Sequence, residues 1–546
     1  LLKGYDIFPL FVLDGGAFFS TADRLGGAGG RHFMEALEDG SLLRPWLVGG
    51  RLVWDRVYDQ THGSKCQTLL EQHVWLNRLY FLLPIAQRFF QTSEEKWAKL
   101  WFGYFSDWVR ANPYTDSGLP DARLRTKYTW FDMQITWRLL VMIHSVRLLG
   151  GSSFMKRRQW RLVYEAIDLH SRCLYKEASV SFANQTGHGN HFLQHGTALI
   201  YTGVLFPELP GAEDFIALGR KIVKEQLDRE ILPDGGSIEG SPSYSHFIAR
   251  LYVDAYLLLK DNKLPAIPGL KRGILRQYRH LAAMASPKGL TLQVSDSYSM
   301  DAAQDLAIVR RVFPLPKSYP VRSVCFGDSR MVVLRGRAVS AYVDAMPDES
   351  HHIHPGKPNV LVYAGDEPVL IDSGCSSYDR ELWQSWYRTE AAHNVLTVRP
   401  VAAKLNKTGG PPPVSTITIK SYSPNKTVIE HRVEADGWSY TWLRAVAIAD
   451  REVTIQDKVT SSVAVDVSQY LHLAPVNAVL AGDGRRAVLQ LQRGDVVIDQ
   501  MSGHDGGAFE LSHTPAMGPD NRVCISNQLT SCAQGKRVGM KVRIKL

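Results

Sequence analysis

The chain predicts an α+β protein of two successive architectures: a helical toroid or bundle over residues 1–320, then stacked antiparallel β-sheets over residues 321–546. Three observations predict it. Apolar side chains recur at three-to-four spacing up to about residue 286, the period of helices that bury one face. From Met331 onward they alternate instead, the period of half-buried strands. A proline-punctuated stretch, Pro314-Leu315-Pro316 to Pro320, closes the helical part and separates the two patterns.

The clearest helix starts at a capping box, Thr92-x-x-Glu95, and carries Trp97, Leu100, Trp101, Tyr104, Phe105, Trp108 and Val109 until Asn112-Pro113 stops it. An unbroken aromatic stripe at this spacing is a core face and not a set of sugar platforms. Comparable periodicity appears around 67–90, 132–149, 155–178, 191–205, 213–230, 244–260 and 270–286, and so many helices of similar length imply a toroid or bundle. In the second part, Met331-Val332-Val333-Leu334, Val414 to Lys420, Val428 to Val433, Val453 to Val459 and Val538 to Leu546 read as strands. The break Gly409-Gly410-Pro411-Pro412-Pro413 reads as a connection between them. No repeat of fixed period is present.

Composition bounds the function. A chain of 546 residues with 45% hydrophobic and 21% charged residues is a globular protein of two or more domains. The net charge of +9 suits an anionic partner, but Lys and Arg are scattered, which points to an acidic polymer and away from nucleic acid. The six cysteines contain no C-x-x-C pair, which argues against a cysteine zinc site or a redox motif, while Cys524 and Cys532 are spaced to pair across a hairpin. The apolar segment Leu10-Phe11-Val12-Leu13 is interrupted by Pro9 and Asp14, and no stretch reaches transmembrane length. The chain starts at Leu1 and not at Met, as expected if a leader peptide is already missing.

Three polar islands stand out. His351-His352-Ile353-His354-Pro355 concentrates imidazoles as no ordinary strand or helix requires, and on an extended segment His352 and His354 share a face that His351 does not. With Asp372 in Leu370-Ile371-Asp372-Ser373-Gly374 and His393 in Ala391-Ala392-His393-Asn394, this run offers a base and a metal site. Histidines also cluster on solvated loops, so spacing alone does not decide. Gly187-His188-Gly189-Asn190-His191 sets an amide and an imidazole at the positive end of a helix, which suits a carboxylate ligand or, more simply, a capping loop. The turn-rich run Pro233-Asp234-Gly235-Gly236 to Ser241-Pro242-Ser243-Tyr244 delivers a phenol to the start of the next helix. There Tyr244 can act as an acid or base, or pack as a core tyrosine.

Together, the Gly189-Asn190-His191 island, the Asp234-Gly235 to Ser241-Pro242-x-Tyr244 run, the histidine run before Asp372-Ser373-Gly374, and Trp386-Tyr387-Arg388 to His393 resemble the heparinase II/III family of polysaccharide lyases. Phe105-Ser106-Asp107-Trp108 to Asn112-Pro113, Trp130 with Arg138, and Phe206-Pro207-Glu208 are similar to its heparinase III branch. The resemblance implies an incomplete (α/α) toroid followed by antiparallel β-sheets. It also implies β-elimination at a uronic acid, with heparan sulfate or a heparin-like chain as the favoured substrate and alginate or a bacterial acidic exopolysaccharide as alternatives. A periplasmic or secreted location follows from the same source.

Elimination needs the substrate carboxylate neutralised, a base for the neighbouring proton and an acid for the leaving oxygen. The resemblance gives the first task to Asn190 and His191, the acid role to Tyr244, which can double as base for one uronate epimer, and the base role to His352. His351 and His354 are the alternative bases, because the alignment tolerates a shift of one or two residues. The two domains would share one cleft. At His354 the chain departs from the heparinase III pattern and approaches that of heparinase II, where an H-x-H divides into catalytic and zinc-binding positions. His354, Asp372 and His393 are then the expected ligands of one structural divalent metal, zinc or alternatively calcium, and no organic cofactor is implied. Ser245 stands where relatives often have histidine, and His246 is the expected substitute. Arg138, Tyr387 and Arg388 are expected substrate contacts, or else packing and interdomain residues. A metal-dependent hydrolase and a glycan-binding protein without turnover are the two rivals.

Overall fold

The computed structural model describes residues 47–49, 51–54, 76–114, 129–130, 132–315, 322–347, 350, 352–376, 382–402 and 413–546. The apolar segment Leu10–Leu13, Cys66, the start of the helix expected from residue 67, Pro316 to Pro320, His351 and Gly409 to Pro412 lie outside the described residues. A short hairpin of β1 (Leu47–Val48) and β2 (Arg51–Leu52) precedes α1 (Leu82–Thr92), α2 (Glu95–Ala111), α3 (Met133–Leu148), α4 (Arg157–Ala183), α5 (Gly189–Leu205), α6 (Ala212–Glu230), α7 (Pro242–Asp261), α8 (Leu270–Met284) and α9 (Ala302–Arg310). No described helix is long and apolar enough to cross a membrane.

Two compact units divide the chain, and not at a single point. One holds the described residues through Glu230 together with Phe247–Ile274; the other holds Ile231–His246 and the described residues from Leu275 onward. The last helix ends at Arg310 and the large sheet begins at Val324, so the change of secondary structure and the division into units fall in different places. Tyr244 starts a helix yet belongs to the unit that carries the sheet.

In the helical unit, Trp97, Trp101, Phe105 and Trp108 of α2 are buried, so the aromatic stripe is core. Its capping box does not form. Thr92 ends α1, where its hydroxyl donates to Arg88 O, and the N-cap position of α2 is Glu94. Glu95 instead accepts from Ser152 Oγ (2.6 Å) and the backbone N–H of Ser153 (2.6 Å), and the Ser152 hydrogen bond leads in bringing its pKa down to about 2. Helix α3 is buried on almost every face, and α5 meets α6 at very close range. A Cβ on Gly219 would sit 2.5 Å from Gly196 O, and one on Gly196 would sit 2.8 Å from Ile222. Only glycine allows that approach.

The other unit carries β3 (Val324–Phe326), β4 (Met331–Arg335), β5 (Val339–Asp344), β6 (Asn359–Ala364), β7 (Glu367–Leu370), β8 (Leu396–Pro400), β9 (Val414–Ser423), β10 (Lys426–Ala435), β11 (Trp438–Ala449), β12 (Glu452–Leu473), β13 (Ala478–Leu480), β14 (Arg486–Leu491), β15 (Gly494–Gln500), β16 (Glu510–Met517) and β17 (Val523–Lys545). All pair antiparallel, and one path runs β13-β14-β15-β17-β12-β7-β6-β5-β4-β3. The strands expected at Val453–Val459 and Val538–Leu546 are parts of much longer ones, β12 with 22 residues and β17 with 23. The first half of β12 pairs with β11 and its second half with β8, across a register shift between Thr460 and Val465. That is how one strand serves two layers. Val332, Val343 and Val362 of β4 to β6 pack in one apolar core with Ile429, Val446 and Ile455 of β10 to β12 and with Leu489 and Ile498.

The proposed Cys524–Cys532 disulfide is not formed. Both thiols are free and both lie on β17, where eight residues of extended chain hold them roughly 25 Å apart.

At the centre of this unit lies a buried ion pair. Arg444 and Asp457 are register partners on β11 and β12, and the guanidinium forks onto the carboxylate (2.7 and 2.8 Å). Trp442 Nε1 and Gln469 Nε2 also donate to Asp457, and Arg444 Nη1 donates to the carbonyls of Pro358 and Asn394. Asp457→Asn leaves a fully buried guanidinium without its counter-charge and is expected to destabilise this unit by about 3–5 kcal/mol. A urea midpoint equal to that of the unaltered protein would refute this. Arg444→Lys, which cannot fork onto both oxygens, is expected to lie close to Asp457→Asn and well below the parent.

Candidate functional site

Within the unit that carries the sheet, the structure brings Tyr244, His352 and His354 together. Pro242 opens α7 with its preset backbone angle. Ser243 then ties this turn to the 297–298 segment, its N–H donating to Ser297 Oγ (3.1 Å) and its own Oγ accepting from Tyr298 N (3.3 Å). Gly240, at φ 63, lies directly on Ile353, the residue between the two histidines: a Cβ there would come within 2.3 Å of Ile353 Cγ1. As a result the Tyr244 ring stacks on the His352 imidazole, with centroids 3.7 Å apart and planes at 22°.

Asp296, which the sequence did not single out, holds both histidines. Its Oδ2 lies 3.1 Å from His352 Nδ1 and its Oδ1 lies 2.7 Å from His354 Nε2, while Trp383 Nε1 donates to Oδ1 (3.2 Å). Burial would raise the Asp296 pKa, but the two histidine hydrogen bonds hold it well below the usual carboxylate range. Glu239, also unforeseen, brings Oε2 to 3.6 Å from His352 Nε2. Burial works against the His352 imidazolium, yet Asp296 and Glu239 together outweigh it and raise its pKa above the ordinary value. His354 is buried completely and burial prevails there, lowering its pKa and favouring the neutral imidazole. Two imidazoles with opposite proton affinities thus lie two residues apart.

Asp372 and His393 form a second buried pair. His393 Nδ1 lies 2.7 Å from Asp372 Oδ2, which also accepts from Asn359 Nδ2 (2.6 Å), and Gly374 N donates to Oδ1 (2.8 Å). Burial opposes the charge on Asp372, but His393 brings its pKa down to about 2. The His393 ring packs where a Cβ of Gly356, at φ 94, would come within 2.6 Å of Cδ2, so position 356 admits only glycine. The rings of His354 and His393 lie 5.5 Å apart, and both His354 Nδ1 and His393 Nε2 are buried without a hydrogen-bond partner. Two orphaned imidazole nitrogens fit a bound cation, with Asp372 and Asp296 orienting the rings from behind. Among the described residues of this unit, the donors that all lie within 4.8 Å of one another are those of Asp296, His354 and Cys375.

Other expected contacts sit differently. His246 does not stand in for a histidine beside Tyr244; its Nδ1 is committed to Asp305 Oδ2 (2.6 Å) in the core. Tyr387 is fully buried with its hydroxyl 2.6 Å from Ser376 Oγ, a packing position and not a substrate contact. Arg388 is half-buried, with its guanidinium 5.0 Å from the Trp383 ring, and its charge is felt at His352.

In the helical unit, Asn190 and His191 occupy the first turn of α5. Asn190 does not cap this helix; its Oδ1 accepts from Gln194 Nε2 (3.0 Å) within it. His191 Nδ1 lies 2.6 Å from Asp132 Oδ2, which fixes the ring and leaves the half-exposed imidazole edge available. Arg138 corrects the sequence expectation. It is fully buried between Trp108 and Trp130 and donates to Asn77 O (3.0 Å), Thr129 O (2.5 Å) and His170 Nε2 (3.1 Å). With its donors spent inside, it is a structural residue. Its helix is buried on almost every face, polar residues such as Gln134, Thr136 and Ser145 included, so an arginine in its middle has no route to solvent.

Comparison with known proteins bears on the family and the fold. Heparinase II/III N-terminus matches residues 59–319, and Heparinase II/III-like, C-terminal, matches residues 320–544. A heparin-sulfate lyase of Bacteroides thetaiotaomicron is 24% identical over 236 residues, 43% of this chain and 31% of that protein. One of Pedobacter heparinus is 23% identical over 399 residues, 64% of this chain and 56% of that protein, so the chain spans only part of the length of these relatives. The crystal structure of heparinase III superposes with a TM-score of 0.75 at 16% identity, covering 92% of this chain and 80% of the other, which shows a common fold. The two adjoining matches account for most of the chain, and the chain belongs to the heparinase II/III family.

Proposed function

We propose that the chain is a polysaccharide lyase that cleaves a uronic-acid-containing chain, heparan sulfate or heparin-like, by β-elimination. The observation that carries this reading is the Tyr244–His352 stack with Asp296 and Glu239 behind the imidazole. Asp296 is hydrogen-bonded at Nδ1, and Nε2, which Glu239 approaches only to 3.6 Å, is the nitrogen proposed to take the proton beside the uronate carboxylate. The imidazolium so formed is stabilised by the two carboxylates. Tyr244, in ring contact with His352, is placed to give its phenolic proton to the departing glycosidic oxygen. Asn190 and His191 are proposed to neutralise the uronate carboxylate, and Arg388 to contact the chain. The heparin-sulfate lyases among its relatives favour the sulfated substrate, and the net charge of +9 is in keeping with it. Such a substrate is met in the periplasm or outside the cell.

A structural divalent cation, zinc rather than calcium by its two nitrogen donors, is proposed at His354 and His393, with Asp372 holding the His393 ring from behind. It would brace the strands that carry the histidines, while the proton transfers belong to His352 and Tyr244.

Incubation with heparan sulfate is expected to yield products that absorb in the ultraviolet and carry a new carbon–carbon double bond by mass. Products with free reducing ends and no unsaturation would instead support hydrolysis. Tyr244→Phe should lower kcat/KM by about 10²–10⁴-fold with substrate binding retained, and full activity in that variant would remove the phenol from the mechanism. Asp296→Asn keeps the side-chain shape but takes away the charge behind His352, and a fall of roughly 10–100-fold in turnover is expected. Elemental analysis of purified protein should find a divalent metal that His354→Ala loses; if stripping it abolishes chemistry while melting is unchanged, its structural role is wrong.

A further inference from the structure

The helical unit holds a second group of donors, of which the lyase reading uses only Asp132, the carboxylate that fixes His191. Asp132 precedes α3, Glu177 lies on α4 and His195 on α5, and one ligand atom from each falls within 4.8 Å of the others. His195 is only 4% exposed and neither ring nitrogen completes a hydrogen bond, although Nε2 lies 3.3 Å from Asp132 Oδ1. An imidazole buried this deeply normally has a partner for at least one nitrogen. The other oxygen of Asp132 is taken by His191, and Glu177 receives only the backbone N–H of Asp132 (3.1 and 3.3 Å). Among the described residues the ionic partners of Asp132 are the two histidines, and neither carboxylate pairs with a lysine or arginine. Burial, with the charge of Asp132 beside it, pushes the Glu177 carboxyl above its ordinary pKa. Two carboxylates and an imidazole that completes no hydrogen bond converge there, and among the described residues no lysine or arginine balances them.

We propose that Asp132, Glu177 and His195 bind a first-row divalent metal ion, zinc by the character of the donors, at the junction of α3, α4 and α5. One imidazole nitrogen and two carboxylate oxygens form a set that zinc accepts, and three protein donors leave the remaining coordination to solvent. The ion would pin the carboxylate that orients His191, as an outer hydrogen bond does at other metal sites. This inference does not rest on the reaction proposed above, since it concerns metal content alone.

The test is to strip the full chain with a chelator, reload it with Zn²⁺, and count bound metal in the parent, in His354→Ala, and in His354→Ala combined with His195→Ala or with Glu177→Gln. The His354→Ala protein is expected to keep one equivalent that both double variants lose. Equal metal content in all three would overturn the proposal. Because a substitution can disturb folding, Zn²⁺-loaded crystals of the unaltered protein supply a second readout. Anomalous scattering among Asp132, Glu177 and His195 is expected, and its absence there would equally overturn the proposal.

Discussion

The Arg444–Asp457 pair is the constraint on which the histidine site depends. Two opposite charges fully removed from water hold together only if every donor and acceptor around them is met, and here they are met by Trp442, Gln469 and two backbone carbonyls. Those carbonyls belong to Pro358, four residues after His354, and to Asn394, next to His393. Asn394 extends the web through its own side chain to Val360 O, Ile371 O and His472 N. The loops bearing the proposed metal ligands are thereby fastened to β11 and β12 through a charge that cannot relax. Solvation offers no alternative partner at that depth.

Electrostatics then divides labour between two histidines of similar sequence context. Both touch Asp296, but His352 is half-open and also sees Glu239, whereas His354 is sealed. The first is pushed towards accepting a proton and the second towards remaining neutral. Burial and the shared carboxylate act on both in the same directions, so the neighbours that differ decide the sign: Glu239 raises His352, and His393 lowers His354.

Much of the architecture was legible because it is local. Three-to-four spacing in α2 and alternation in β10 to β12 depend only on which side chains face inward, and spacing states that directly. Tyr244 and His352 were likewise legible as residue types of the right chemistry at the start of a helix and in an extended run. What was missed is non-local. Asp296 is separated from His352 by 56 residues and lies in an unremarked loop, and no periodicity reports such a contact. The capping box failed because Thr92 had already been used by the preceding helix, and the disulfide failed because one long strand was read as a hairpin. Arg138 and Tyr387 were misplaced by their polarity, which tryptophan packing and a single hydroxyl partner satisfy indoors. The division into units is non-local in the same way: α7, which carries Tyr244, begins in one compact unit and continues in another, and secondary structure carries no mark of that transition.

The two oxygens of Asp296, one given to each histidine, carry an implication for how this site can change. A substitution at 352 alters the hydrogen bonding of the carboxylate that orients 354, and the reverse holds equally. The energetic effects of changes at positions 296, 352 and 354 therefore cannot be summed. A route from this site to a different chemistry would have to alter the three as a block, with single replacements passing through poorly functioning intermediates. The two imidazoles are joined through one carboxylate as a single heritable character.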